Sequence, residues 1–194
     1  MAAEGGVRPD AEGGEVHAER ELDAQALARR RLALAQIRQY PDAVLRMRAR
    51  EVERFDEDLA RLAEKMEHLM HDARGVGLAA TQVGVLQRLF VFQPVDDEDA
   101  IAVVNPELTS RSEQTEVLDE GCLSLQGVLV PVERSVRVTL EGRDLAGEPL
   151  RLQLADMGAR VAQHELDHLD GVLMIERTDD AFRRDALATL RRSL

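Results

Sequence analysis

The sequence predicts an α+β fold in a single domain. Apolar residues recur at helical spacing before residue 72 and again after residue 154, and the part between them consists of short segments rich in Val, Ile and Leu. These helical and β segments follow one another in blocks instead of alternating, so parallel βαβ units are not indicated. A length of 194 residues is sufficient for one domain with a substantial core.

The composition restricts both the core and the class of partner. Hydrophobic residues make up 44% and aromatic residues 3%, so aliphatic side chains build the core and stacking on nucleic-acid bases is not expected. A formal net charge of -12 argues against a general binder of nucleic acid or anionic membranes, although a local basic patch stays open. No apolar run reaches the roughly 20 residues of a membrane span, and no secretory signal is apparent. We expect a cytoplasmic, monomeric protein without membrane association.

The first part of the chain differs in composition from the rest. Residues 1–24 are rich in Ala, Gly and Glu with few large apolar side chains, which predicts a disordered acidic extension. Residues 25–39 contain strong helix formers, and Leu27, Leu34 and Ile37 can share one face of a helical arm. An Arg-rich transit peptide is the alternative interpretation, and the acidic residues that precede the arginines count against it.

A compact domain is predicted for residues 40–178, beginning where Tyr40 and Pro41 mark a helix boundary. Asp56 has the character of an N-cap, and the helix after it is predicted to run to about His71. The apolar residues at helical spacing in it are Leu59, Leu62, Ala63, Met66, Leu69 and Met70. Gly75 and Gly77 are expected to end this helix.

Short β segments are predicted for the middle of the chain, with turn residues between them. They cover residues 88–93, 101–104, 111–118, 128–132, 135–140 and 150–154. A helix is predicted for about residues 155–169, ending at Gly171, and a separate C-terminal helical unit for residues 179–194.

The strongest chemical signal is an H-E-x-x-H pattern formed by His164, Glu165 and His168. Residues four apart on a helix lie one above the other, so both imidazoles can reach one metal ion while Glu165 lies beside it. The alternative is two ordinary histidines on a solvated helix.

A catalytic metal site of this type needs a third protein ligand, and the sequence offers two kinds. Cys122 is the single cysteine, which excludes an internal disulfide and leaves packing, reactivity or metal binding as its role. Taken alone, Cys122 can also be explained as an inert buried cysteine that packs like a small apolar residue. Glu176 or Asp179 would supply a carboxylate instead, and that ligand set would indicate a metalloprotease.

A third signal is the segment 75–84, which reads G-V-G-L-A-A-T-Q-V-G. Its glycines permit close approach of a ligand to the backbone, but it lacks the Lys and Ser/Thr of a phosphate-binding loop. The Gln82 amide can stabilise negative charge on a carbonyl oxygen, or it can simply bond to backbone.

These three segments together resemble the peptide deformylase family. The motifs are G-V-G-L-A-A-T-Q, E-G-C-L-S from Glu120 to Ser124, and Q-H-E-L-D-H-L-D-G from Gln163 to Gly171, in the family's order. The resemblance extends from about residue 37 to residue 176. It implies twisted antiparallel β-sheets around a central H-E-x-x-H helix, and Cys122, His164 and His168 as ligands of one Fe²⁺ per chain, with Zn²⁺, Ni²⁺ or Co²⁺ as substitutes.

The resemblance also implies the activity, which is removal of the N-formyl group from the formyl-methionine of nascent polypeptides, with release of formate. Glu165 would be the general acid and base, and Gln82 with the Leu123 N–H would stabilise the oxyanion. The substrate-binding residues implied by resemblance are Val76, Gly77, Leu118, Glu120, Gly121, Met157 and Val161.

Two positions bear on the surroundings of this site. The family's second motif continues with Pro-Gly, whereas this chain has Gln126 and Gly127, so the loop beside the substrate groove is expected to differ. Arg134 matches a family arginine and is predicted to support the site by pairing with Glu120 or Asp167, while a surface arginine is the alternative.

Alternatives of other classes stay open at this point. The chain can be an H-E-x-x-H peptidase, or a catalytically silent metal-binding or ribosome-associated module; Glu165 and Gln82 count against the silent module. In some family members a C-terminal helix docks on the ribosome, and the terminal segment here carries residues suited to this. The basic ones are Arg183, Arg184, Arg191 and Arg192, and the apolar ones are Phe182, Ala186, Leu187 and Leu190. A capping helix with a solvated basic face is the alternative.

Overall fold

The computed structural model describes residues 24–94 and 99–192. The helices are α1 (Ala24–Leu34), α2 (Glu57–Ala73), α3 (Asp156–Leu169) and α4 (Asp180–Arg192). The strands are β1 (Gly77–Ala79), β2 (Leu89–Phe92), β3 (Ile101–Arg111), β4 (Thr115–Glu120), β5 (Val130–Ser135), β6 (Arg137–Arg143) and β7 (Pro149–Ala155). Short 3-10 helices lie at Ala43–Arg46, Ala80–Val83 and Met174–Glu176. The predicted disordered extension lies outside the described residues except for its last residue, Ala24, which begins α1.

The strands form two antiparallel sheets, which confirms the predicted α+β class. Five strands pair in the order β1-β2-β3-β6-β7, and β4 pairs only with β5 in a separate two-stranded sheet. Every pairing in both sheets is antiparallel. Helix α3 packs against β1, β2, β5, β6 and β7, so it lies between the two sheets as the resemblance implied.

Helix α2 begins at the predicted N-cap, because the Asp56 carboxylate accepts hydrogen bonds from Asp58 N at 3.1 Å and Leu59 N at 3.2 Å. Its apolar stripe packs against β1 and β2, with Met66 and Met70 fully buried. Burying a side chain of this size contributes about 1.5–3 kcal/mol. The helix ends at Ala73, two residues beyond the prediction, with Arg74 in the left-handed conformation at φ 61°.

The predicted helical arm is shorter than expected. Helix α1 ends at Leu34, so residues 35–39 of the predicted arm are not helical. Ala33 and Ile37 are nevertheless buried in the same core as α2, which fixes the segment after α1 against the domain. Among the described helices, none is long and apolar enough to cross a membrane.

The strand boundaries differ from the predictions at several places. The prediction missed β1, which has three residues and no periodicity long enough to detect. It ended the third strand at residue 104, whereas β3 continues through Asn105 and Pro106, where the register against β6 shifts between Val104 and Glu107. Asn105 adopts φ 50°, and its side chain hydrogen-bonds both backbone groups of Val52. Asn-Pro is a turn signal, but here it produces a bulge inside the strand.

Helix α4 spans Asp180–Arg192, within the predicted C-terminal unit, but its apolar face points inward. Ala186 and Leu190 are each 5% exposed and belong to a core cluster with Leu125 and Val130. The sequence-based assignment of these two residues to a docking face was therefore wrong, because the domain itself covers them. Phe182 is 47% exposed, and Arg184 and the arginines of the last turn also face solvent.

Candidate metal centre

The structure brings together the three predicted ligands Cys122, His164 and His168. Their donor atoms all lie within 4.8 Å of one another, and Cys122 Sγ lies 3.2 Å from His168 Nε2. The imidazoles stand one turn apart on α3 with ring centroids 4.9 Å apart, whereas Cys122 comes from the loop after β4. One ion at the centre of this group would reach all three donors.

Hydrogen bonds hold the cysteine in place on its loop. The Ser124 N–H lies 3.4 Å from Cys122 Sγ, and the Gln82 amide nitrogen lies 3.6 Å from the same sulfur. Both contacts direct N–H dipoles at the sulfur and fix its orientation on the loop.

His164 is oriented by a buried carboxylate. Its Nδ1 lies 2.9 Å from Glu120 Oε2, so this nitrogen carries the proton and Nε2 is left to bind a metal ion. Burial alone would raise the pKa of Glu120, but the hydrogen bonds from His164 and Arg134 outweigh it and lower the pKa to about 2. Glu120 therefore stays ionised behind the histidine.

A network of buried ion pairs surrounds Glu120. Arg134 binds both carboxylate oxygens at 3.0 Å and also donates to Asp167 Oδ2 at 2.6 Å. The predicted pairing of Arg134 with Glu120 or Asp167 thus includes both, and with 7% exposure it is not a surface residue. Arg160 adds a fourth hydrogen bond to Glu120 at 2.8 Å, and Arg177 binds Asp167 through two nitrogens.

Arg160 and Arg177 were missed in the sequence. An arginine on a helix is normally solvated, so nothing in the local pattern distinguished Arg160 from its neighbours. The available signal was its spacing, since Arg160 lies four residues before His164 and therefore on the same face of α3. Arg160 also donates to the carbonyl oxygens of Val132 and Glu116, which connects the helix to both strands of the small sheet.

Glu165 is buried beside the ligands, with 3% exposure. Its Oε2 has no hydrogen-bond partner among the described residues. Burial raises the pKa of Glu165 to about 7, which the nearby His164 opposes. A buried carboxylate oxygen without a hydrogen-bond partner destabilises the fold unless a ligand or reacting group binds it. Glu165 Oε2 is therefore a candidate contact for a ligand or a reacting group.

The Gln82 side chain makes the backbone hydrogen bond that one of its two predicted roles requires. Its Oε1 accepts a backbone hydrogen bond from Ala79 N at 2.8 Å, and its Nε2 donates to Ser124 Oγ at 3.1 Å. The amide nitrogen is thereby directed at the cysteine loop, where Leu123 follows Cys122. Ser124, fully buried, is another residue that the sequence did not single out.

Of the side chains predicted to bind substrate, three apolar ones are exposed, whereas those of Val161 and Glu120 are buried. Val76, Leu118 and Met157 are apolar but 47%, 39% and 55% exposed, as expected of residues that a ligand would cover. Val161 is buried within α3. The Glu120 carboxylate, in contrast, is bonded to His164 and two arginines, so its side chain supports the metal site and is not available to substrate.

The alternative carboxylate ligands are occupied elsewhere. Glu176 pairs with Arg46 at 2.7 Å and accepts from Leu173 N at 3.0 Å. Asp179 caps α4 by accepting from Ala181 N and Phe182 N. Neither belongs to the donor group found in the described part of the chain, so the ligand set of the metalloprotease alternative is not formed.

Two imidazoles one helical turn apart, a thiol and a buried glutamate beside them form a candidate metal site of the class that hydrolases build on an H-E-x-x-H helix. Comparison with known proteins gives the family. The family model for polypeptide deformylase matches residues 34–184, and the chain belongs to this family.

Individual relatives agree with the family match. The chain is 46% identical over 147 residues to a peptide deformylase of Thermotoga neapolitana, covering 76% of this chain and 88% of that one. It is 43% identical over 164 residues to peptide deformylase 1 of Corynebacterium glutamicum, covering 84% of this chain and 97% of that one. The crystal structure of a peptide deformylase from Legionella pneumophila superposes with a TM-score of 0.76 at 39% identity, covering 80% of this chain and 92% of that one.

Proposed function

We propose that the protein hydrolyses the N-formyl amide of the N-terminal formyl-methionine of nascent polypeptides and releases formate. The observation that carries this proposal is the convergence of Cys122, His164 and His168 beside the buried Glu165. Membership of a family of hydrolases named for deformylation supports the same reaction.

The donor set fits a divalent transition metal. One thiolate and two imidazoles are the ligands that Zn²⁺ and Fe²⁺ accept, and three protein ligands leave a further coordination position for water or substrate. We propose one Fe²⁺ per chain, which Zn²⁺, Ni²⁺ or Co²⁺ can replace. When bound, the ion supplies Lewis-acid activation of water and of the formyl carbonyl.

Glu165 is proposed as the group that moves the proton. Burial holds its pKa at about 7, and a cation held by the neighbouring histidines would lower it, so the carboxylate accepts a proton from the attacking water near neutral pH. It then delivers this proton to the amine that leaves. The unpaired Oε2 is the atom available for both transfers.

The negative charge that develops on the formyl oxygen needs donors. Gln82 Nε2 and the backbone N–H of Leu123 are proposed for this role, since both lie on segments that meet at Cys122. A donor of this type contributes about 3 kcal/mol to the stabilisation of the transition state.

Substrate recognition is proposed to follow from the chemistry of methionine. Its unbranched apolar side chain would be covered by Val76, Leu118, Met157 and Val161. The backbone groups of Gly77 and Gly121 are proposed to hydrogen-bond the substrate peptide. We also propose that the protein works as a cytoplasmic monomer and meets nascent chains through the exposed arginines of α4.

A direct assay tests the reaction. The wild-type protein loaded with Fe²⁺ under anaerobic conditions should release formate from a formyl-Met peptide, and Glu165→Ala should bind the same amount of metal but turn over about 10²- to 10⁴-fold more slowly. Formate release that survives complete metal removal, or wild-type turnover in Glu165→Ala, would reject the mechanism.

A further inference from the structure

The loop that carries Cys122 and Leu123 is held at three consecutive carbonyl groups. Cys122 O accepts from Leu125 N at 3.0 Å, Leu123 O accepts from the Gln39 side-chain Nε2 at 3.0 Å, and Ser124 O accepts from Tyr40 N at 2.9 Å. Two of these donors belong to consecutive residues of the segment after α1, which lies more than 80 positions away in the sequence. The segment 38–40 therefore fixes the conformation of the cysteine loop.

This arrangement sets the direction of the Leu123 N–H. In a trans peptide the C=O and N–H point to opposite sides, and the Cys122–Leu123 bond is trans. Because Cys122 O is directed at Leu125 N, the Leu123 N–H points away from that turn. Gln39 fixes the next carbonyl, so the Leu123 backbone is held on both sides.

The orientation of the Gln39 amide is itself determined by its neighbours. Its Nε2 faces the carbonyl oxygens of Leu123 and Ile37, at 3.0 Å and 3.1 Å, and its Oε1 accepts from Gln126 Nε2 at 2.9 Å. If the Gln39 amide were rotated by 180°, its oxygen would face the carbonyl oxygens of Leu123 and Ile37, and its nitrogen would face Gln126 Nε2. None of these contacts would be a hydrogen bond. Gln126 stands where the family pattern has Pro, and a proline has no side-chain donor for this contact.

The same segment also contacts the other proposed oxyanion donor. The Arg38 N–H donates to Gln82 O at 2.7 Å, directly before Gln39 reaches Leu123 O. Residues 38–40 thus join the 3-10 helix that carries Gln82 to the loop that carries Leu123.

We infer that Gln39, oriented by Gln126, is a positioning residue that aims the Leu123 N–H at the developing oxyanion. The inference rests on the proposed function, in which that N–H is an oxyanion donor. Gln39 acts through the backbone and does not touch the substrate. Its effect is therefore on the transition state more than on substrate binding.

The experiment compares Gln39→Met with Gln126→Met, the double variant and a matched control. The control is Gln36→Met, since Gln36 is an exposed glutamine just after α1 whose amide donates to Leu32 O at 3.4 Å, away from the cysteine loop. Removing one oxyanion donor lowers kcat by about 10²- to 10³-fold, and a misdirected donor should lose part of that. We therefore expect kcat of Gln39→Met to fall about tenfold. KM, metal content and the midpoint of thermal unfolding should stay at wild-type values, and Gln36→Met should match the wild type.

Two further measurements distinguish a positioning role of Gln39 from a general loss of structure. If both glutamines act in one relay, the double variant should be no slower than Gln39→Met alone. In leucine-selective ¹⁵N spectra of the Zn²⁺-loaded protein, the Leu123 amide resonance should shift in Gln39→Met but not in Gln36→Met.

Each outcome has a defined meaning. A wild-type chain that releases no formate is a failure of the proposed function, and the Leu123 resonance still reports whether Gln39 orients that amide. An active wild type with an equally active Gln39→Met variant overturns the inference alone. A fall in kcat accompanied by lost metal or a lower unfolding midpoint overturns it too, because Gln39 would then be a structural residue.

Discussion

Gly77 and Glu165 lie in direct contact across the site. A Cβ atom added at position 77 would lie 2.8 Å from the carboxyl carbon of Glu165, closer than carbon atoms approach in folded proteins. Glu165 is 3% exposed, and its carboxyl group would have to shift to admit a Cβ atom at position 77. The absence of a side chain at Gly77, in the first strand, therefore permits the position that the glutamate occupies.

Gly77→Ala should consequently lower turnover by displacing the Glu165 carboxylate, with a loss of about 10²-fold, within the range of a misplaced general base. Metal binding should persist because the change leaves the three ligands Cys122, His164 and His168 in place. Steady-state kinetics together with metal analysis of the purified variant checks this. Turnover at the wild-type level would show that the glutamate has room to move.

The choice of third ligand gives a second prediction. Cys122→Ser should lose most of its metal affinity, because a hydroxyl is a much weaker ligand than a thiolate for Zn²⁺ or Fe²⁺. Glu176→Gln is the matched control, since that carboxylate pairs with Arg46 and should leave metal affinity unchanged. Competition titration with a chromogenic chelator measures both. If Glu176→Gln lost metal affinity and Cys122→Ser kept it, the third ligand would be a carboxylate, as expected of the peptidase alternative.

Arg160 should stabilise both the fold and the metal site. Arg160→Met removes a buried partner of Glu120 and leaves two strand carbonyl groups without their donor. Breaking a buried pair costs about 3 kcal/mol in the free energy of unfolding. Loss of support behind a metal-binding histidine typically costs about 10- to 100-fold in metal affinity.

Arg151→Met provides the control for Arg160. Arg151 pairs with Glu141 on the exposed face of the sheet, where its side chain is 65% exposed, so its loss should cost under about 1 kcal/mol. Urea unfolding of the two metal-free variants gives the comparison. Equal losses for both would mean that the buried pair contributes no more than a surface pair.

Much of the fold and the metal centre was accessible from the sequence. The ligands, Glu165 and Gln82 lie in segments whose spacing or motif carries the signal, and helices α2, α3 and α4 have caps or periodicity over several turns. The buried network was not accessible in the same way. Arg160 and Arg177 contact carboxylates 40 and 10 positions away, and no local pattern records such pairs, whereas the pairing of Arg134 was predicted only through the family resemblance.

The remaining differences also arise from tertiary contacts. Strand β1 is recognisable only from its pairing with β2, and the bulge at Asn105 depends on the backbone of Val52. The inward face of α4 and a surface docking face would produce the same helical spacing. Only the position of Leu190 against Leu125 and Val130 decides between them.

The low pKa of Glu120 predicts how the metal-free fold responds to acid. A carboxylate whose pKa falls from 4.5 to about 2 on folding contributes stability that is fully present above pH 4.5 and is lost as the pH falls toward 2. The contribution is about 3 kcal/mol. Urea unfolding at several pH values should show this loss in the wild type and a flatter profile in Glu120→Gln. Glu116→Gln, an exposed change on the same strand, should keep the wild-type slope, and a wild-type slope in Glu120→Gln would reject the assignment.

The last prediction concerns the proposed docking of α4 on the ribosome. Because Ala186 and Leu190 are buried, the helix presents to a partner mainly its exposed charges, among them Arg184 and Arg191, together with Phe182. Arginines on phosphate release counterions, so binding should weaken steeply with salt. Arg184→Glu combined with Arg191→Glu should reduce cosedimentation with ribosomes at low salt and leave hydrolysis of formyl-Met peptides intact. Arg29→Glu combined with Arg31→Glu makes the same charge change on α1 and should have little effect. Equal losses in both double variants would show that net charge alone, and not the surface of α4, governs the interaction.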